Sequence, residues 1–357
     1  MKLTHSGGVV VEFLDNIFLY GTSVIRSIIA WIGFDPAVTN IIMAAVYTVA
    51  ILAICTLVAL FYVLYERKVA GFIQYRPGPN KLGPYGIFQT VADAVKLLTK
   101  EDIVPNNADK ALHLLAPLLV FIPPVLGLGV IPFGKNLTAV DLNLGILYVL
   151  AITSLSTIPF FMAGWSANNK YSMLGAMRAI SQKISYEIPS IFALLAIAMM
   201  AGTLNLSAVV EMQGKIWFVF LQPVAFLVFF IAGIAETNRA PFDLPEGESE
   251  LTAGFLTEYS GMKWALFFLA EYCSMFVLGG MITTLFLGGW LGPVLPGWMW
   301  FILKVHIIMT LIIWIRWTFP RIRIDKLLDL NWKVLIPVSI LNIFVTGIGL
   351  FIFNNYF

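Results

Sequence analysis

Apolar residues fill stretches of about twenty positions eight times over along this 357-residue chain, near 41–65, 112–133, 144–165, 184–202, 216–235, 264–286, 298–318 and 334–353. Each is long enough to cross a hydrocarbon core of ~30 Å. Backbone groups in lipid have no water to bond to, so such crossings are helices. The pattern predicts an all-α polytopic membrane protein with about eight transmembrane helices. Pro117, Pro123 and Pro124 fall inside the second run and predict a kink there.

Two further segments are apolar on one side only. Across 9–34 the polar residues Glu12, Asp15, Asn16, Thr22, Ser23 and Arg26 recur near helical period, which suits an amphipathic helix at the outer interface better than a ninth span. Glu12 and Asp15 also break the apolar stretch that a cleavable signal needs. After the turn residues of Arg76-Pro-Gly-Pro-Asn80 and Gly83-Pro-Tyr-Gly86, the side chains of Ile87, Phe88, Val91, Val95 and Leu98 share one face, with Gln89, Asp93 and Lys96 off it. A second interfacial helix is expected there. The domain organisation that follows is an N-terminal extension, 1–40, and an eight-span domain, 41–357, with large connections at 66–111, 166–183, 236–263 and 316–333.

Charge orients this frame. Of the 22 lysines and arginines, 17 lie in those four connections, and Lys2, Arg26, Lys135 and Lys215 lie in the opposite ones. Lys304 falls inside the seventh run, near enough to its end to be expected to snorkel. The positive-inside rule puts the four connections in the cytoplasm and both termini outside a plasma or inner membrane.

Composition agrees: 59% of residues are hydrophobic and 12% charged, about half the charged share of a soluble domain. Mean hydropathy is +0.88. A net charge of +2 offers no basis for nucleic-acid binding through bulk basicity. Two cysteines, Cys55 and Cys273, fall short of the four thiolates of an iron–sulfur cluster and read as buried structural thiols. His113 and His306 sit at depths too different to share a haem. Gly127-Leu-Gly129 begins like a dinucleotide fingerprint but lies in a span and runs into Pro132. No metal site and no cofactor bound by this chain are expected.

Chemistry is expected where polar groups are kept at a cost. An ionisable side chain inside a span is a functional candidate by default. Glu187 lies one turn into the fourth run, in Ser185-Tyr-Glu-Ile-Pro189, where Pro189 leaves the Ser185 carbonyl without its helical donor. Glu236 ends the fifth run, and Glu271 lies about 12 Å into the sixth. The bland alternative pairs each with Arg178, Lys183 or Arg239. Between the fifth and sixth runs, Pro241-Phe-Asp-Leu-Pro-Glu-Gly-Glu-Ser-Glu250 and Glu258 give residues 237–263 a net charge of −3 on an otherwise basic side. Crowded carboxyls of this kind titrate as a set.

Several motifs, in order, then carry a resemblance: Glu66-Arg-Lys with Arg76-Pro-Gly-Pro-Asn80, Ala92-Asp-Ala-Val-Lys96, Lys100-Glu-Asp102, Gly164-Trp-Ser-Ala-Asn-Asn-Lys-Tyr-Ser172, Ser185-Tyr-Glu187, Glu236-Thr-Asn-Arg-Ala-Pro-Phe-Asp-Leu-Pro-Glu246, Glu258-Tyr259, Ala270-Glu-Tyr272 and Pro320-Arg-Ile-Arg-Ile-Asp325. The chain from about residue 41 onward resembles the H-subunit family of NADH-quinone oxidoreductase, respiratory complex I. Residues 1–40 are not covered, and Lys326 stands where the family more often has glutamine. The resemblance implies a proton-translocating oxidoreductase component without a redox centre of its own, forming the tunnel through which quinone enters from the lipid. It implies Arg67, Phe268, Arg316 and Asp93 along the quinone path. It also implies a proton path through Glu187, Glu236, Glu246, Glu248, Glu250, Glu258 and Glu271. Quinone is the implied substrate; the implied partners are the peripheral-arm and small membrane subunits, with flavin and iron–sulfur clusters in the former. A secondary ion transporter is the rival from another class, disfavoured by the lack of an internal repeat. The homologous membrane component of an energy-converting hydrogenase is a nearer rival. Purification separates them, since a transporter comes out alone and a hydrogenase component brings a nickel-iron partner.

Overall fold

The computed structural model describes residues 16–31, 35–245 and 247–356, which are helical apart from connecting turns. In chain order the helices are α1 (Ile17–Trp31), α2 (Pro36–Ile73), α3 (Gln89–Thr99), α4 (Lys110–Val130), α5 (Gly145–Leu155), α6 (Thr157–Ser166), α7 (Lys170–Ala201) and α8 (Leu206–Met212). They continue as α9 (Phe218–Leu221), α10 (Pro223–Glu236), α11 (Glu248–Leu251), α12 (Gly261–Phe286), α13 (Gly297–Thr318), α14 (Ile324–Leu330) and α15 (Ile336–Tyr356). Side-chain caps set several starts: Asp35 accepts from Ala37 N at 3.3 Å, Asp109 from Ala111 N at 3.1 Å, and Asn169 from Tyr171 N at 3.0 Å. Gly202, at φ 62°, ends α7 by a left-handed turn whose N–H bonds Ala198 O at 2.8 Å.

Seven helical segments of the described residues are long and apolar enough to cross a membrane: α2, α4, α5–α6, α7, α12, α13 and α14–α15. The fifth predicted run, 216–235, is broken. Pro223 cannot donate a backbone bond, and the residue before it, Gln222, leaves the helical region at φ −130°, ψ 57°. Its buried amide is satisfied instead by Thr346 Oγ1 at 2.8 Å and by Asn342 Nδ2 at 2.9 Å, both on α15. The third run breaks at Ser156, between α5 and α6, ahead of Pro159. In the second run α4 continues as one helix through its three prolines. In the segment before the first span the described residues form the helix α1, whose 15 residues reach about 22 Å; residues 9–15 and 32–34 of that segment lie outside the described residues. Arg26 Nη2 ties α1 to Asn40 Oδ1 of α2 at 2.9 Å.

The bundle is built around α12. Two thirds of its most apolar stretch (67%) is buried against other helices, against 11% for α2 and 17% for α14–α15. Exposed Phe344, Val345, Ile348 and Phe351 give α15 an outer face that only lipid or another apolar surface satisfies. Cys55 and Cys273 are buried free thiols at the α2–α12 contact. Lys304 departs from the expectation that it snorkels. It is 4% exposed, and its ammonium donates to the carbonyls of Leu287, Gly289 and Leu291 at 2.7–2.9 Å. The freed carbonyls after α12 hold the cation inside, so it need not reach water.

The loop between α10 and α12 is ordered by close backbone approach. A Cβ on Gly175 of α7 would stand 2.6 Å from Gly254 Cα, and one on Gly254 would stand 1.7 Å from Pro245 O. Glycine at both positions lets the acidic loop lie flat on α7.

Candidate functional site

Glu66, near the end of α2, is 5% exposed and gathers three other segments. Its carboxylate accepts from Arg239 Nη1 at 3.2 Å, from Tyr272 Oη at 2.7 Å, and from Arg316 Nη1. Arg239, on the turn after α10, is 1% exposed and also pairs through Nε with Glu271 Oε1 at 2.5 Å. Its guanidinium lies 4.4 Å from the Tyr272 ring centre. Burial opposes the charge on Arg239, yet Glu271, Tyr272 and Glu66 outweigh it, and its pKa stands well above the ordinary guanidinium value. Two carboxylates and two guanidiniums balance, which is the condition under which buried charges persist.

Beside this cluster the amphipathic helix closes onto the bundle. Arg67, one residue on from Glu66, bonds Asp93 Oδ2 of α3 at 2.5 Å, and both side chains remain partly exposed. Contacts join α3 to α2 and to α12. Phe268 of α12 stacks on Trp264 at 5.1 Å and meets Tyr272 edge-on at 5.0 Å. The structure therefore brings the four predicted quinone-path residues to one end of the bundle, with Arg67 and Arg316 flanking Glu66 on α2 and α13, and Phe268 beside Tyr272.

A cavity of about 50 Å³ opens on Phe268, Glu271, Asn238 and Pro245 and reaches Lys183, Glu236 and Ser156. A second, of about 70 Å³, shares Lys183, Glu236, Ser156, Thr237 and Ser274, and continues past Ser154 and Glu187 to Pro123, Pro124 and Gly127. Glu187 accepts from Ser154 Oγ, and Glu236 Oε1 accepts from Ser190 Oγ at 3.0 Å. Lys183 Nζ donates to Glu236 O at 2.7 Å and to Ser156 Oγ at 3.1 Å. One helix break and one helix end serve this space: the interruption at Ser156 places its hydroxyl there, and the end of α10 offers the Glu236 carbonyl. As the sequence implied, Ser185 O lacks a helical donor beside Pro189, and Asn331 Nδ2 supplies one at 2.6 Å from the π-turn Asn331–Leu335.

The other acids lie apart. Glu258 accepts from Asn169 Nδ2 at 2.7 Å, near Tyr259, whose hydroxyl lies 3.2 Å from Ser166 Oγ. Burial pushes the Tyr259 pKa up to about 12. Glu250 is exposed and bridges Arg178 at 2.5 Å and Arg321 at 2.7 Å; the Arg178 hydrogen bond, with help from Arg321, holds its carboxyl below the usual range. Glu246 lies outside the described residues; the backbone of Glu248 opens α11. Reasoning on spans missed Glu66, Tyr272 and Lys183 as site residues. Glu66 sat at a run's end beside Arg67 and Lys68, where an acid reads as surface, and Lys183 read only as a possible counter-ion. The legible signal was spacing, since Lys183 and Glu187 lie four apart on one helical face.

A multi-span helical bundle with a buried, charge-balanced cluster at one end, beside cavities lined by acids, defines a multi-pass membrane protein. The chain belongs to the NADH dehydrogenase family, whose model matches residues 45–347. It is 53% identical over 344 residues to the H subunit of NADH-quinone oxidoreductase from Carboxydothermus hydrogenoformans, covering 95% of this chain and 98% of that one. The corresponding protein of a Geobacillus species is 49% identical, over 88% of this chain and 96% of the relative. That of Dehalococcoides mccartyi is 50% identical, over 85% of each.

Proposed function

We propose that this chain is the membrane component through which quinone reaches the peripheral arm of a proton-translocating NADH-quinone oxidoreductase, and that its buried acids couple quinone reduction to proton movement. One observation carries the reading. Polar groups follow one another from the Arg67–Asp93 bridge and the neighbouring Glu66, through the Arg239–Glu271 pair, to cavities lined by Glu271, Lys183, Glu236 and Glu187. In this reading quinone enters beside α2, α3 and α12, its isoprenoid tail staying in lipid while the headgroup lies among Phe268, Arg67 and Arg316. Charge arriving there with reduction acts on Glu66 and Arg239 at short range in a dry setting, where Coulomb interactions are strong. The chain itself brings no redox centre to this scheme; flavin and iron–sulfur clusters belong to partner subunits. The basic connections face the cytoplasm, where the peripheral arm docks, and both termini face outward.

A photoreactive quinone analogue tests the passage. In native membranes it labels peptides of α2, α3 and α12, an excess of ordinary quinone prevents this, and Phe268→Ala raises the KM for quinone several-fold. Labelling confined to other chains, with the KM of Phe268→Ala unchanged, contradicts the tunnel.

A further inference from the structure

Among the described residues, the charged ones lining the two cavities are Lys183, Glu187, Glu236 and Glu271. Glu271 is already neutralised by Arg239, and Glu66 is shared by Arg239 and Arg316. In that lining Lys183 is then the cation that faces two carboxyls, Glu187 on its own helix and Glu236 at the end of α10. Both act on Lys183 electrostatically. Its ammonium stands where the cavities join, held by Glu236 O and Ser156 Oγ, with the Phe160 ring 4.8 Å away. From the packed elements, α4 and α6 add no charged group to the lining, and α12 adds only Glu271.

Uncompensated charge is expensive away from water, so the favoured state of this chamber is electrically neutral. With one ammonium and two carboxyls, neutrality requires one carboxyl ionised and one protonated. We propose that Lys183 is a positioning residue that fixes the labile proton content of the chamber at one, shared between Glu187 and Glu236. Without the ammonium, neutrality requires a proton on each acid, and the chamber has no ionised acceptor for a proton arriving from Glu271. Lys183 thus keeps one acceptor open. The inference rests on the proposed coupling role, but its charge balance is tested separately.

The first arm needs no activity. In the full chain expressed in its native membrane, Lys183→Met lowers the amount of assembled protein or its thermal midpoint, and Lys183→Met/Glu236→Gln recovers it, because the paired change keeps the charge difference. A double variant no better than Lys183→Met overturns the proposal in favour of a packing role. The second arm is the pH profile of NADH–quinone reductase activity. Lys183→Met moves the acid limb to higher pH by roughly one unit or more, as expected for loss of a cation beside carboxyls, and Lys183→Arg leaves the limb in place. An unmoved limb in assembled Lys183→Met overturns the proposal. Wild-type membranes lacking this activity would defeat the functional reading, while the first arm would still decide the charge balance.

Discussion

Among single residues, Glu66 bears the heaviest burden: three donors converge on a carboxylate almost wholly removed from water. Taking away one partner of a buried ion set costs about 3–5 kcal/mol, because the remaining charges are stranded. Glu66→Gln is therefore expected to lower the unfolding midpoint of detergent-solubilised protein far more than Glu258→Gln does; equal effects would show that the cluster is not dry. Glu250 works at the surface and in a different pH range. A carboxyl whose folded pKa is depressed stabilises above its ordinary value of 4.5 and loses that contribution as pH falls through the lowered one. Being exposed, its contribution is small and local. Amide exchange across 248–251, corrected for intrinsic rates, should quicken as pH falls below about 4.5, and Glu250→Gln should already show the quicker rate at neutral pH. The sequence made Glu187, Glu236 and Glu271 visible because each interrupts an apolar run. It hid Glu66, whose burial depends on Arg239 and Arg316 arriving from residues far along the chain.

At the scale of elements, periodicity located the spans, but prolines decided their continuity. A run of apolar residues reports length and not whether the helix survives inside it. The fourth run keeps its helix through Pro189 because Asn331, from the π-turn before α15, donates to the freed Ser185 carbonyl. The fifth loses its helix at Pro223, where Gln222 leaves the helical region and bonds α15 instead. Removing the donor should leave the Ser185 carbonyl unsatisfied, at about 1–3 kcal/mol. Asn331→Leu is expected to destabilise by that amount in the natural chain and by less in a Pro189→Ala background, where a backbone N–H is restored. A double-mutant cycle on thermal midpoints measures the difference, and additivity of the two changes would rule out the compensation. Neither partner was legible as a pair, since 146 positions separate them.

For the molecule as a whole, the asymmetry of lysine and arginine carries the proposed orientation, and the amphipathic pattern after Gly86 carried α3, because both follow from how a bilayer sorts side chains. The chamber was not legible. It arises where α5–α6, broken at Ser156, and the C-terminal half of α10 meet α4, α7 and α12, and no linear pattern shows which of these face one another. In the proposed function, carboxyls enclosed within the bundle take up and pass on protons when quinone is reduced beside the Glu66 cluster. The most direct test is proton translocation per NADH oxidised in closed native vesicles carrying Glu187→Gln. The account predicts normal assembly on a native gel with proton translocation lost or slowed at least several-fold. Wild-type rate and proton yield in the assembled variant would contradict it.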